Sequence, residues 1–186
     1  MTNDAVRAPA LRELFIGWFD YYAARATERL DRLTDNEYLW QPVANCWTIR
    51  ADGDTYLADW EWPSPEPAPV TTIAWRLVHL CSMLSEHGLR AVAFDDGKAN
   101  HVPPSQVPPT ASEARVVWDH SIEHWKHDLT AVTDARLLQP LGPEAGQFAD
   151  DPVASFIEHV HDEFIHHTAE IGLLRDLYRC RRDGDG

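Results

Sequence analysis

PVASFIEHVHDEFIHHTAEIGLLRDLY, residues 152–178, is the stretch whose reading decides the fold. Asp151 stands before it as an N-cap signal, with Pro152 at the first helical position. The stretch then runs without glycine or further proline until Gly172. Val153, Phe156, Ile157, Val160, Phe164, Ile171, Leu174 and Tyr178 recur at helical spacing. At about 100° per residue they share one face of a helix. One position near the middle of that face is polar: His167. Glu163 lies about 40° from it and Glu170 about 60° from it. His159, His161 and His166 fall about 100° or more from the centre of the stripe, so they are expected on the rim or in water.

A helix made for a core thus turns one imidazole and one or two carboxylates inward. An ionised carboxylate leaves water only with a strong partner. Two readings are open. One is a core histidine held by hydrogen bonds to glutamate. The other is part of a metal site, since neutral imidazole and carboxylate are standard ligands. The i, i+4 pairing of Glu163 with His167, with Glu170 beside them, favours the second.

The formal net charge of −14 over 186 residues argues against a nucleic-acid or anionic-membrane partner. An acidic, soluble surface accounts for it. The length suits a single domain over residues 1–186, large enough to bury a real core. No apolar run approaches membrane length, and residues 1–10 lack the apolar centre of a signal peptide, so a cytoplasmic protein is expected. Cys46, Cys81 and Cys180 are odd in number and form no CxxC pair, which speaks against a disulfide framework or a cysteine zinc site. Cys81 falls in an apolar helical segment and is expected in the core. Cys46 falls in a loop, where a thiol can be reactive. The eight tryptophans supply heavy anchors or the walls of an aromatic pocket.

Working outward, Leu11–Leu33 reads as a first helix on the stripe of Leu11, Leu14, Phe15, Trp18, Phe19, Tyr22, Ala26 and Leu30. Residues 34–70 are long and poor in regular signals. They hold Trp40, Trp47, Trp60 and Trp62, and are expected to fold over one end of the helices and help wall a pocket, or else to form a partly mobile lid. Thr71–Phe94 reads as a second helix capped by Thr71 or Thr72. Ile73, Leu77, Leu80, Cys81 and Leu84 give it one apolar face, while Trp75, His79 and Met83 give it another. His87 stands about 80° from His79, and the wheel does not choose between them. Residues 95–109 read as a loop. Thr110-Ala-Ser-Glu113 is a capping box opening a third helix that runs to Val132, with His120 and His124 on its wet side. Thr133–Asp150 is the last loop. No strand pattern, glycine-rich phosphate loop or nucleophile elbow is apparent. Four helices with such connections predict an all-α four-helix bundle, with long loops capping one end.

Three segments carry a resemblance: TTIAWRLVHL at 71–80, EFIHHTAEIGLLRDLY at 163–178, and EYLWQPVANCWTIR at 37–50. Together they resemble the DinB/YfiT-like superfamily in its actinobacterial branch, over nearly the whole chain. That resemblance implies a four-helix bundle holding a divalent metal, often nickel, zinc or iron. It also implies metal-dependent hydrolases or transferases that use low-molecular-weight thiols, mycothiol among them, acting on a small-molecule substrate, in a chain able to form a homodimer. Ligands in the family are one histidine on the second helix and two, one turn apart, on the fourth. The first matches His79 and the last matches His167. The middle position is Glu163 here, a departure that leaves two histidines and one carboxylate. Such a set serves zinc and non-haem iron with open coordination positions. The carboxylate lowers the charge of the site by one and weakens its Lewis acidity. Glu170 would orient a ligand histidine or act as a base. A bundle that binds metal without catalysis, or a stress-associated one, and a non-haem iron enzyme are the alternatives.

Overall fold

The computed structural model describes residues 9–85, 88–94 and 107–183. Helix α1 spans Leu11–Arg29 and buries Phe15, Phe19, Ala23 and Ala26. At its start the Glu13 carboxylate accepts from the Ala10 N–H at 2.9 Å, satisfying one donor that the helix leaves open. The helix ends short of the expected Leu33, and Arg32, with φ at 59°, has left the right-handed region altogether. A one-turn helix α2, Asp35–Tyr38, follows. Its cap Thr34 accepts from the Glu37 N–H.

The tract at 34–70 also holds strands, which the sequence reading did not find. Strand β1 (Ile49–Asp52) pairs antiparallel with β2 (Thr55–Ala58), from Ile49 opposite Ala58 to Asp52 opposite Thr55. The two-residue turn is Gly53-Asp54. Gly53 has φ of +60°, the positive value a primed hairpin turn needs at its first position. The strands are short and mostly exposed, so neither face needs an apolar set, and the alternation stays faint in the sequence. The hairpin docks on the start of helix α3 (Ile73–Ser85). The Thr72 N–H donates to the Trp47 carbonyl at 2.9 Å, and the Thr72 hydroxyl donates to Thr48 Oγ1 at 3.0 Å. Thr72 also caps α3, its Oγ1 accepting from the Trp75 N–H.

Helix α4 covers Gly88–Phe94. The periodicity predicts one helix over 71–94; the residues between α3 and α4, His87 among them, lie outside the described residues, as does most of the expected loop at 95–109. Helix α5 spans Ala111–Ala131, and Thr110 Oγ1 accepts from the Glu113 N–H as the capping box predicts. The expected last loop contains a one-turn helix α6 (Asp134–Leu137) and a 3-10 turn (Pro143–Phe148). Helix α7, Val153–Asp183, begins one residue after Pro152. The Val153 N–H is already committed to the Gln139 carbonyl at 3.0 Å, so the chain enters the helix from a bridge between Pro140 and Pro152.

The described chain is mostly helical with one small two-stranded sheet. Both α5 and α7 pack against α1 and α3. Trp118, Trp125, Phe19 and Phe164 are fully enclosed, with Trp118 stacked on Phe164 at 5.4 Å. Each such ring removes about 150–250 Å² from water, which makes them the main anchors of the core. No helix among the described residues is long and apolar enough to cross a membrane.

One expectation needs correcting. His161 is not on the rim: it is only 5 % exposed, stacked on Phe19 at 5.4 Å, and it accepts from Trp125 Nε1 at 3.3 Å. The cause is that α7 is covered by α1 as well as α3, so its buried face extends past Ile157 and Phe164 to take in His161. Cys46 lies in a loop as expected and is enclosed there; burial pushes its thiol pKa up and disfavours the reactive thiolate. Cys81 is buried in the core as expected.

Candidate metal centre

Helix α3 contributes His79 and Arg76, one turn apart; α7 contributes Glu163, His167 and Glu170. The packing of α3 on α7 brings the two sets together. His79 Nε2 lies 3.3 Å from Glu163 Oε2, and His167 Nε2 lies 3.0 Å from the same oxygen. The two imidazoles meet edge to face, with centroids 4.9 Å apart at 84°. Donor atoms at about 2.0–2.1 Å from one metal ion lie about 2.9–3.4 Å from each other, depending on tetrahedral or octahedral geometry. The observed separations fit that range. His79, Glu163 and His167 could therefore share one ion, and all three donor atoms lie within 4.8 Å of one another.

The side chains of His79, Glu163 and His167 keep 21 %, 25 % and 12 % of their exposure, so the cluster is open to a ligand from solvent. The hydrogen bond with His167, and next that with His79, hold the Glu163 carboxyl well below the usual carboxylate range, outweighing burial. Glu163 is thus an anion at neutral pH and faces both imidazoles through one oxygen.

The surroundings fix both rings. Trp75 stacks on His79 at 5.2 Å and 13°, and its Nε1 donates to the Asp59 carbonyl at 2.7 Å, just beyond the hairpin. Trp47 and Trp60 reach Trp75 at 5.6 and 6.4 Å, so the tract at 34–70 backs the His79 side of the cluster with indole rings. On the other side, Glu170 Oε2 is 2.7 Å from His167 Nδ1. Arg76 Nη1 contacts the same nitrogen at 2.5 Å and forms a short ion pair with Glu170.

The structure brings together all three residues expected at the cluster and puts Glu170 against the outer nitrogen of His167. His166 is 60 % exposed and stacks on the outer face of His167 at 4.8 Å; with His167 and Glu170 it makes a second, more open acidic-imidazole group. His120 and His159 are exposed, and His124 is half-buried against Arg90 at 2.8 Å. Sequence reasoning missed Arg76. Its signal was present: a lone cation in the otherwise apolar run Ile73–Leu80, one turn before His79. A cleft of about 410 Å³ opens on other residues, between Leu30–Asp35 and Ala111–Arg115, and none of the cluster lines it.

No curated protein and no solved structure matches the chain. A family model of the DinB superfamily matches residues 19–171, a span that includes His79, Glu163, His167 and Glu170.

Proposed function

The chain belongs to the DinB superfamily, and from that premise we propose that it is a divalent-metal-dependent enzyme, a thiol-dependent transferase or hydrolase. His79, Glu163 and His167 would hold zinc, nickel or iron, with the indole of Trp75 steadying His79 from behind. When bound, the ion supplies Lewis acidity that lowers the pKa of water or a thiol enough to make a nucleophile near neutral pH. Glu163 contributes the one fixed negative charge among the three ligands. Glu170, on the outer nitrogen of His167, would orient that ligand with Nε2 turned inward, or act as a base.

The observation that carries this reading is a single carboxylate oxygen within 3.0 and 3.3 Å of two imidazole nitrogens from two helices. We read α1, α3, α5 and α7 as the four helices of a single DinB-like bundle domain. A small-molecule substrate, mycothiol or a similar thiol as cosubstrate, a cytoplasmic location and a homodimer complete the proposal. The test is elemental analysis of protein purified without a histidine tag. One divalent ion per chain is expected, and a chain that takes up none from zinc, nickel or iron would overturn the reading.

The donor set favours one second reading. Two histidines and one carboxylate with open positions also suit non-haem iron. Iron as the bound metal, with oxygen-dependent turnover, would select it over the thiol chemistry.

A further inference from the structure

A series of nearly parallel rings leads outward from His79. Trp75 lies on His79 at 5.2 Å and 13°, and Trp60 follows Trp75 at 6.4 Å and 10°. Both separations fall in the range of offset-stacked pairs. Trp47 leans on both indoles, 6.2 Å from Trp60 and 5.6 Å from Trp75. The series starts at a buried indole and ends at an open one: Trp75 is 8 % exposed and Trp60 64 %. Trp60 has no part in the core cluster. Its backbone is nonetheless pinned through Asp59, the residue before it. The Asp59 N–H donates to the Thr48 carbonyl at 2.9 Å, and its carboxylate accepts from the Thr48 N–H at 2.9 Å and from Arg50 Nε at 2.8 Å. Its carbonyl accepts from Trp75 Nε1 at 2.7 Å. Trp62, two residues on and 82 % exposed, makes no ring contact among the described residues. One exposed indole is therefore held at a set place and angle in line with a cluster residue, while its neighbour is not.

We propose that Trp60, backed by Trp47, is the platform for a flat aromatic group of the substrate, held there while the substrate's reacting end reaches the cluster of His79, Glu163 and His167. This names the substrate class of the proposed metal centre and rests on that reading. Two ring-to-ring steps, of 6.4 and 5.2 Å, separate Trp60 from His79, a span that a ring with a short arm covers. A ring already fixed in place loses little freedom when another ring settles on it, so its open face binds at low entropic cost. An indole face gives a flat ring dispersion and quadrupole contact, but gives a puckered one only area. The charges nearby exclude an anionic ring. Asp59 and Glu61 flank Trp60 in the chain, and Arg50 is already paired with Asp59.

The experiment has a metal-free and a loaded arm, both on the full chain. In the metal-free arm, indole N–H signals are followed by NMR during titration with benzyl alcohol, cyclohexylmethanol and benzoate. The Trp60 signal should shift and saturate with benzyl alcohol and move less with the other two, while the Trp62 signal should not saturate with any. In the loaded arm, cobalt(II) replaces the native ion, and the affinities of benzyl mercaptan and cyclohexylmethanethiol are read from sulfur-to-cobalt absorption. The wild-type preference for the flat thiol should exceed that of Trp60→Leu by about 2–10-fold, the strength of one aromatic pair. Comparing the two proteins removes the difference in acidity between the thiols. Trp62→Leu should match wild type. A preference that survives in Trp60→Leu, equal loss in Trp62→Leu, or a larger Trp60 shift with cyclohexylmethanol or benzoate overturns the platform even if the chain binds one ion. A chain that takes up no cobalt overturns the metal centre, and the indole titration then decides for or against the ring site by itself.

Discussion

Arg175 on α7 and Glu37 on α2, 138 positions apart, form a buried two-point ion pair: Nε donates to Oε1 at 2.7 Å and Nη2 to Oε2 at 3.2 Å. Arg175 Nη1 also donates to the carbonyls of Arg29 and Asp31, just where α1 ends. One guanidinium thus ties α7 to the turn between α1 and α2. Removing one partner strands a buried charge, at a cost of about 3–5 kcal/mol, whereas replacing both with apolar groups costs far less. Urea unfolding should therefore show Glu37→Met and Arg175→Met each strongly destabilised and the double variant less so than either. Single variants losing less than about 1 kcal/mol would mean the pair is not desolvated.

His161 gives the protein an acid-sensitive stability. Burial lowers its pKa from the model-peptide 6.5 to about 4. The unfolded chain therefore takes the proton first as pH falls. The stabilisation is complete above about pH 6.5 and is lost progressively down to about pH 4, at most about 3.5 kcal/mol from about 1.4 per unit. Glu163 acts in the same sense lower down: its depressed carboxyl stabilises the fold above the ordinary carboxylate range and loses that contribution as pH drops further. A His161→Gln variant can still accept from Trp125, and its urea midpoint should vary less than wild type's between pH 6.5 and 4. Parallel curves for the two proteins would show that His161 is not held neutral by the core.

Adjacent histidines on α7 should behave oppositely. His167 is 12 % exposed and faces Glu163; His166 is 60 % exposed. Loss of stoichiometric metal is expected for His167→Ala, Glu163→Ala and His79→Ala. His166→Ala should retain it and, as an exposed substitution, change stability by under about 0.5 kcal/mol. Metal lost in His166→Ala but kept in His167→Ala would place the site on the outer group with Glu170.

Metal should raise the melting temperature, because a ligand of the native state alone stabilises it by mass action. A chelator is expected to lower the melting temperature and one divalent ion to restore it. The affinity should also fall between about pH 7 and 5, where imidazole nitrogens become protonated. An affinity flat over that range would exclude histidine ligands.

How much of this was legible before the fold is clear from particular residues. The capping box at Thr110 and Glu113 and the long stripe of α7 are local patterns, and they appear in the structure within a residue or two. The shared face of Glu163 and His167 is equally local, since it follows from four residues of helix geometry. The hairpin at Ile49–Ala58 left only a weak trace, Asp52-Gly53, because its strands are too short and exposed to need an apolar face.

The sequence by itself thus determined the long helices, the caps at Thr72 and Thr110, and which α7 residues point the same way. Tertiary structure decided what they point at. Whether His79 meets Glu163, whether Arg76 reaches His167, and whether His161 is wet or enclosed all depend on how α3 and α1 are set against α7. A helical wheel has no term for that. Periodicity records the angle of a side chain about its own axis, while convergence depends on the rotation and offset of one helix relative to another, which packing of the whole core fixes.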